Sequence, residues 1–203
     1  MTQTDPKQPF QKNWTDNFLE IIETLLVAAV AAVLILTLIF RTGFVSGPSM
    51  ANTMHNNDRY IVSNLFYTPK AGDIVVFEPD PEQIGKAAGS EETLYVKRVI
   101  ATEGQHLQIK KDETGNYAVY VDGEKLQEDY LDEWQTTLPN PYLSAQSTQD
   151  DLDIIVPEGQ FFAMGDNRLN SKDSRIIGCI DNRRLVGKVL FRFYPFDKIG
   201  FIE

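Results

Sequence analysis

The chemistry of this chain centres on Ser49, in the stretch 47–54 (GPSMANTM) that follows its long apolar run. A serine hydroxyl is almost fully protonated at neutral pH, so a nucleophilic serine needs a neighbouring group that takes its proton. Ser49 is therefore a candidate nucleophile for acyl transfer. The rest of the chain has to supply the base.

Histidine is the usual base, and the chain has two, His55 and His106. His55 lies in a polar, turn-like stretch, and His106 lies where a loop enters a short apolar strand. Both are interpreted as surface or loop histidines, since single histidines are common outside active sites. The Gly-x-Ser-x-Gly motif of the α/β-hydrolases is also absent, because Ala51 stands at its second glycine. A Ser-His-Asp triad is therefore not predicted.

Lys97 is the better candidate base. It lies in the stretch 93–100 (TLYVKRVI), whose β-branched and aromatic residues predict a half-buried strand. Burial disfavours the ammonium form and lowers the pKa of a lysine, so a neutral Lys97 could accept the serine proton. The local pattern alone favours the alternative, an exposed strand lysine with Arg98 pointing to the other face.

A third segment changes this balance. Residues 161–164 (FFAM) predict a short buried strand that runs into the loop 165–175 (GDNRLNSKDSR), here called the charged loop. The Ser49 stretch, the Lys97 strand and this loop, in that order, resemble the bacterial type I signal peptidases. These are membrane-bound Ser/Lys endopeptidases that remove signal peptides from exported proteins. The resemblance runs from the apolar segment nearly to the C-terminus, and the charged loop is its most specific part.

The resemblance implies a role for three residues in catalysis. Ser49 matches the family's nucleophile, Lys97 matches its general base, and Ser171 matches a serine whose hydroxyl helps to orient the lysine amine. It also implies an acyl-enzyme, which forms when Ser49 attacks the peptide carbonyl and is hydrolysed by water that Lys97 activates.

The same resemblance implies a supporting framework of charged residues. Asp166, Arg168, Asp173 and Arg175 of the charged loop match residues that hold the family's site together. We expect Asp166 to pair with Arg98, and Asp173 to pair with Arg175.

Two positions depart from the family pattern. Asn52 stands where the family usually has proline, and proline would fix φ and stiffen the turn behind the nucleophile. Gly47 stands where some members have a serine whose hydroxyl contributes to the oxyanion hole. The hole is therefore expected to depend mainly on the backbone N–H of Ser49.

The implied substrate is an extended signal peptide with small side chains one and three residues before the cut. It would add as a strand beside residues 43–47 and the strand that carries Lys97. Shallow apolar pockets would then select the small side chains. The residues that match substrate-binding positions of the family are Val45, Gly47, Met50, Met54, Tyr95 and Val96. Ordinary core packing explains the apolar ones equally well.

These residues need an anchor and a scaffold to position them. A polar tail is predicted for residues 1–16 and a transmembrane helix for residues 17–41, because residues 24–40 contain no charge. A buried helix or a cleaved signal peptide would also be apolar, but no Ala-x-Ala site follows. Ser49 is nine residues beyond Phe40, which at full extension is at most about 30 Å. The nucleophile is therefore expected near the membrane surface.

The resemblance implies a bacterial plasma membrane location, a cytoplasmic N-terminus and an extracytoplasmic catalytic domain. Charge alone codes this orientation poorly, since Lys7 and Lys12 precede the apolar run and Arg41 follows it. The expected partners are the lipid bilayer and the signal peptides of preproteins.

The remainder, residues 42–203, is predicted to be a small, mainly β, barrel-like catalytic domain. Strands are expected at 59–65, 73–77, 93–100, 107–109, 117–121, 161–164 and 185–193, with Asp122-Gly123 as a hairpin turn. Residues 78–92 and 129–153 are rich in acidic and turn-forming residues and predict exposed loops.

Composition excludes several classes of function. The formal charge of −10 disfavours nucleic-acid binding. One cysteine allows no internal disulfide. Two distant histidines and that cysteine have no metal-ligand spacing, so neither a metal nor another cofactor is predicted.

Three alternatives remain. A self-cleaving repressor would share a Ser/Lys pair, but it would be soluble and would have a DNA-binding module. The second alternative is a membrane-anchored protein that binds exported proteins without cutting them. Asn52 is the only residue that suggests it. A paralogue specialised for certain substrates fits the sequence as well as a general enzyme does. The sequence does not determine the oligomeric state.

Overall fold

The computed structural model describes residues 14–82, 84–85, 94–132, 137–140 and 151–202. The chain forms two compact units, one that ends at Ile39 and one that begins at Phe40. Most of the predicted polar tail, residues 1–13, lies outside the described residues. Residues 14–16 already belong to the helix.

The first unit is the helix α1, which spans Trp14–Ile39. Its segment Asn17–Thr37 is long and apolar enough to cross a membrane, and none of that segment is buried in the described protein. The predicted boundary at residue 41 is two residues too late. Phe40 and Arg41 instead hydrogen-bond as the first residues of a strand.

The second unit is built from strands in two antiparallel sheets. The strands are β1 (Phe40–Phe44), β2 (Arg59–Ser63), β3 (Ile74–Phe77), β4 (Tyr95–Thr102), β5 (His106–Lys111), β6 (Tyr117–Val121), β7 (Glu124–Lys125), β8 (Leu152–Ile155), β9 (Gln160–Met164), β10 (Ile180–Asp181), β11 (Leu185–Tyr194) and β12 (Gly200–Phe201). Helix α2 (Ser174–Ile177) and two 3-10 turns (Asn182–Arg184 and Phe196–Lys198) connect the last strands.

The larger sheet has the order β1-β2-β11-β3-β4-β9-β10, and β12 pairs with β11. It curls into a half-barrel. The smaller sheet has the order β7-β6-β5-β8. The mainly β, barrel-like fold predicted from the sequence is therefore confirmed.

Turn chemistry sets the hairpins of the smaller sheet. Asp122 and Gly123 both have positive φ, 53° and 87°, between β6 and β7. A two-residue loop with positive φ at both positions matches the twist of antiparallel strands. The hairpin predicted at this dipeptide is therefore confirmed.

Among the described residues of the second unit, three hydrophobic clusters form the core. One joins Met50 and Met54 to Val96 of β4. The second cluster joins Phe161 of β9 to Ile177 of α2. The third contains Ile100 of the larger sheet and Leu107 of the smaller one, so it packs the two sheets together.

The two predicted exposed loops are wrong in part. Within 78–92, Pro79 is buried and Ile84 packs against the core, while residues 83 and 86–92 lie outside the described residues. Within 129–153, Thr137 and Leu138 are buried and β8 begins at Leu152. Residues 133–136 and 141–150 lie outside the described residues. Polar composition was misleading here, because the polar groups of 137 and 138 bond buried arginines.

Candidate active site

Ser49 lies at the start of a tight helical turn, residues 48–54, here called the nucleophile turn. The N–H of Ala51 donates to the carbonyl of Pro48 (3.0 Å), and the N–H of Met54 donates to the carbonyl of Met50 (2.7 Å). The side chains of Met50 and Met54 are fully buried and fix the turn in the core. Ser49 itself remains partly exposed.

Lys97 reaches this serine from β4. Its Nζ lies 2.7 Å from Ser49 Oγ and 2.9 Å from the carbonyl oxygen of Val96. The residue is 4% exposed, and Nζ stands 5.1 Å from the ring centroid of Tyr95. The tertiary structure therefore joins two side chains that are 48 positions apart in the sequence.

Burial sets the protonation of Lys97. Loss of solvent lowers the pKa of Lys97 from its ordinary value to about 8. The carboxylates of Asp173 and Asp166 oppose this shift, while the guanidinium of Arg175 adds to it. With a pKa of about 8, Lys97 is neutral in roughly a tenth of the molecules at pH 7 and in about half of them at pH 8.

Asp166 forms the ion pair that was expected with Arg98. Arg98 Nε and Nη2 donate to its two carboxylate oxygens at 3.0 and 2.9 Å. Thr53 Oγ1 donates to Asp166 Oδ2 at 2.5 Å. One buried pair thus ties the charged loop, β4 and the nucleophile turn together, and its hydrogen bonds offset part of the cost of burying charge.

Asp173 pairs with Arg175, again as expected. Arg175 Nε and Nη2 donate to its carboxylate at 2.8 and 2.7 Å, and the N–H of Gly165 donates to Oδ2 at 3.0 Å. Burial raises the pKa of Asp173, but Arg175 and the Gly165 N–H outweigh that effect and hold the pKa below its ordinary value. Asp173 also caps α2 by accepting from the N–H of Arg175.

Arg168 is fully buried and its partners were not predicted. It donates to Thr137 Oγ1 (2.6 Å), Glu128 Oε1 (2.6 Å) and Tyr130 Oη (3.2 Å). These partners precede it by 31 to 40 positions, so no local sequence signal links them to it.

Gly165 stands where the charged loop passes closest to the nucleophile turn. A Cβ at this position would overlap both the hydroxyl of Ser171 and the backbone oxygen of Ser49. Only glycine allows this approach. Ser171 is buried, and within the described structure no hydrogen bond joins its hydroxyl to Lys97. Its role in orienting the lysine stays a prediction.

Asn167 also holds the nucleophile turn, and it was not predicted from the sequence. Its N–H donates to the carbonyl of Ser49 (3.0 Å), and its side-chain amide donates to the carbonyl of Pro48 (3.1 Å). Its place beside Asp166 in the charged loop was the signal that could have identified it.

The predicted substrate-binding residues occupy mixed environments. Val45, Met50, Met54 and Val96 belong to one core cluster. Tyr95 is half-buried, so it presents surface beside Lys97. Their contact with substrate stays a prediction. Gly47 has a φ of +100°, and its N–H donates to Asn56 Oδ1 (3.0 Å).

The histidines play no visible part in this arrangement. His55 is exposed, and His106 Nε2 lies 2.6 Å from Asp153 Oδ1 in the smaller sheet. In the described part of the chain neither ring hydrogen-bonds Ser49, which agrees with their interpretation as surface or loop residues.

Comparisons with known proteins agree with one another. The family model for signal peptidase, peptidase S26, matches residues 18–194. The probable signal peptidase I-1 of Synechocystis sp. is 36% identical over 185 residues, which cover 89% of this chain and 85% of that protein. The signal peptidase I of Bacillus licheniformis is 34% identical over 200 residues, or 97% of each chain. The signal peptidase I T of Bacillus subtilis is 34% identical over 192 residues, which cover 93% and 91%. This chain therefore belongs to the S26 signal peptidase family, and it is a serine peptidase that cleaves signal peptides.

Proposed function

We propose that the chain cleaves the signal peptides of exported preproteins with Ser49 as nucleophile and Lys97 as general base. The observation that supports this assignment is the 2.7 Å contact between Lys97 Nζ and Ser49 Oγ at a lysine that is 4% exposed. Proximity, a depressed lysine pKa and an adjacent hydroxyl are the features that an activated serine needs.

In the first step, neutral Lys97 accepts the Ser49 proton as Oγ attacks the carbonyl carbon of the scissile bond. The carbonyl π electrons move to oxygen and form a tetrahedral oxyanion. The backbone N–H of Ser49 is the donor assigned to this oxyanion. The N–H of Gly47 is already engaged by Asn56 Oδ1, so we assign it no part in the oxyanion hole.

The second step breaks the peptide bond. The Lys97 ammonium donates its proton to the leaving nitrogen, which departs as the new N-terminus of the mature protein. The signal peptide remains as an ester on Ser49 Oγ. Lys97, neutral again, then takes a proton from water as the water attacks the ester carbonyl. The Lys97 ammonium returns a proton to Ser49 Oγ as the ester C–O bond breaks, which releases the signal peptide with a free carboxyl group.

The strand pairing supports an extended mode of substrate binding. β9 pairs with β4 only from Arg98 onward, so among the described strands nothing pairs with residues 95–97 on that side. β1 is the end strand of its sheet and has an open edge. Backbone hydrogen bonds to such edges hold a peptide with little dependence on its sequence. We place the substrate between these two edges.

The membrane context follows from α1. The signal peptidase I family is membrane-anchored, and α1 has the length and composition of a single span. We assign the N-terminus to the cytoplasm and the catalytic domain to the outer side of a bacterial plasma membrane. An anchor confines enzyme and preprotein to one surface and raises their effective concentration.

The test is cleavage of a purified preprotein by the full chain in detergent, with the product's new N-terminus sequenced. We expect the wild type to cut after a small-x-small site, and Ser49→Ala and Lys97→Ala to be inactive yet folded. Ser63→Ala, a serine change on β2, is the matched control and should cleave normally. Appreciable turnover by Lys97→Ala at neutral pH would refute the assignment of the base.

A further inference from the structure

Residues 128–130, here called the bridging segment, contact all three elements that carry the proposed catalytic residues. The ring of Tyr130 lies 4.0 Å from the guanidinium carbon of Arg98 on β4 and 5.7 Å from that of Arg168 in the charged loop. Both distances fall within the range of a cation–π interaction. The ring therefore lies against two of the buried cations of the site.

Glu128 holds this ring in place through hydrogen bonds. Its carboxylate accepts from Arg168 Nη2 at 2.6 Å and from the Tyr130 hydroxyl at 2.8 Å. Arg168 Nη2 also donates to the Tyr130 hydroxyl at 3.2 Å. Because every member of this triangle has two partners within it, the bridging segment is held rigidly against the charged loop.

The bridging segment reaches the nucleophile turn through Asn52. The side-chain amide of Asn52 donates to the backbone oxygen of Tyr130 at 3.3 Å. Asn52 is three residues beyond Ser49, so on a helical turn the two lie on the same side. This contact ties the nucleophile turn to the bridging segment, and a rotation of the turn away from that segment would break the contact and change the 2.7 Å separation of Ser49 Oγ and Lys97 Nζ.

We propose that Asn52 is a positioning residue for Ser49 and that it acts through the bridging segment. The proposal depends on the assignment of Ser49 as nucleophile. A proline would stiffen the turn by fixing its own φ. Asparagine at this position stiffens the turn by an external hydrogen bond instead. This contact with a residue 78 positions away adds to the restraints that the buried methionines and Asn167 already place on the turn.

The test measures kcat and KM of the full chain in detergent on one preprotein, beside the thermal unfolding temperature. A neutral hydrogen bond is worth a factor of about two to ten. We expect Asn52→Ala and Asn52→Leu, which roughly keeps the size but loses the donor, to lower kcat by that factor with KM unchanged. Asn116→Ala, a change at an exposed turn of the smaller sheet, is the matched control.

Changes at Tyr130 show whether Asn52 acts through the bridging segment. Tyr130→Phe keeps the ring and the backbone oxygen but removes the hydroxyl of the triangle, so its kcat should fall less than that of Tyr130→Ala. Tyr130→Ala removes the ring that holds the segment. In that background Asn52→Ala should lower kcat no further, because residues that act through one another are not additive.

The outcomes separate this proposal from the assignment of the nucleophile. Unchanged kcat in folded Asn52→Ala refutes the positioning role, and so does a full additional loss in the Tyr130→Ala background. A kcat loss that disappears on cooling, when every variant is folded, assigns Asn52 a structural role only and also refutes it. Cleavage by Ser49→Ala, measured in parallel, refutes the nucleophile instead. If Tyr130→Ala does not fold, the Asn52 variants alone decide.

Discussion

Replacing Lys97 with methionine should abolish cleavage and, below pH 8, remove a penalty from folding. The pKa of Lys97 falls from 10.5 to about 8 on burial. Each pKa unit corresponds to about 1.4 kcal/mol, so the buried ammonium costs about 3 kcal/mol relative to the neutral amine. A side chain that is 4% exposed is screened little by water, so we apply no reduction for screening.

The sign of the pH dependence follows from proton binding. Below pH 8, Lys97 is protonated in both the folded and the unfolded chain, and the full penalty is present. Between pH 8 and 10.5 the unfolded chain binds the extra proton, so the folded state gains stability as pH rises. Above pH 10.5 the amine is neutral in both states and the penalty is gone. Across this pH window, the free energy of unfolding of the wild type should therefore rise by about 3 kcal/mol relative to that of Lys97→Met.

The assay is thermal unfolding of wild type and Lys97→Met in detergent at a series of pH values from 7 to 10.5. Other lysines and tyrosines titrate in the same range, but they are common to both proteins and cancel in the difference. The gap in unfolding temperature should change by roughly 5–10 °C in favour of wild type. A gap that stays constant would refute the claim that burial depresses the pKa of Lys97.

Further predictions concern catalysis and the surrounding framework. Because neutral Lys97 is the proposed base, kcat/KM should rise about tenfold per pH unit below pH 8 and level off above it; a flat profile contradicts this. Gly165→Ala should reduce kcat by a larger factor than it reduces the equilibrium constant for folding, because the added Cβ would overlap the backbone oxygen of Ser49. An unchanged kcat would contradict this. Asp166→Asn leaves Arg98 buried without a charged partner and should destabilise the chain by about 3 kcal/mol, measured by denaturant unfolding. The ion pair of Lys125 with Asp112, in which the lysine side chain is 55% exposed, should contribute little because water screens it, so Lys125→Ala should lower the free energy of unfolding far less than Asp166→Asn does.

Local pattern predicted most of the strands because each needs only its own residues. The strands expected at 73–77, 93–100, 161–164 and 185–193 are present with ends shifted by one or two residues. Alternating β-branched residues and a turn dipeptide are local signals that a strand and a hairpin require. The strand β1 was missed, since its residues FRTGF continue from an apolar run and were assigned partly to the helix.

The expected pairs of charged residues are present, but their setting could not be predicted. The local pattern favours an exposed Lys97, but in the fold the residue is 4% exposed and its amine contacts Ser49 of the nucleophile turn. Tyr130 lies within the predicted exposed loop 129–153, and Glu128 immediately precedes that loop. Their acidic and polar character is instead used to neutralise and cover buried arginines that come from elsewhere in the chain.

The sequence by itself determined the apolar span, the β character of the domain and the types of residue available for chemistry. Those properties depend on composition, periodicity and turn residues over short stretches. Tertiary structure alone decided which side chains meet, and so which amine is dry enough to lose its proton near neutral pH. Burial and hydrogen bonding depend on residues far apart in the chain. Ser49 and Lys97, 48 positions apart, come into contact only in the fold, which also removes water from the lysine amine.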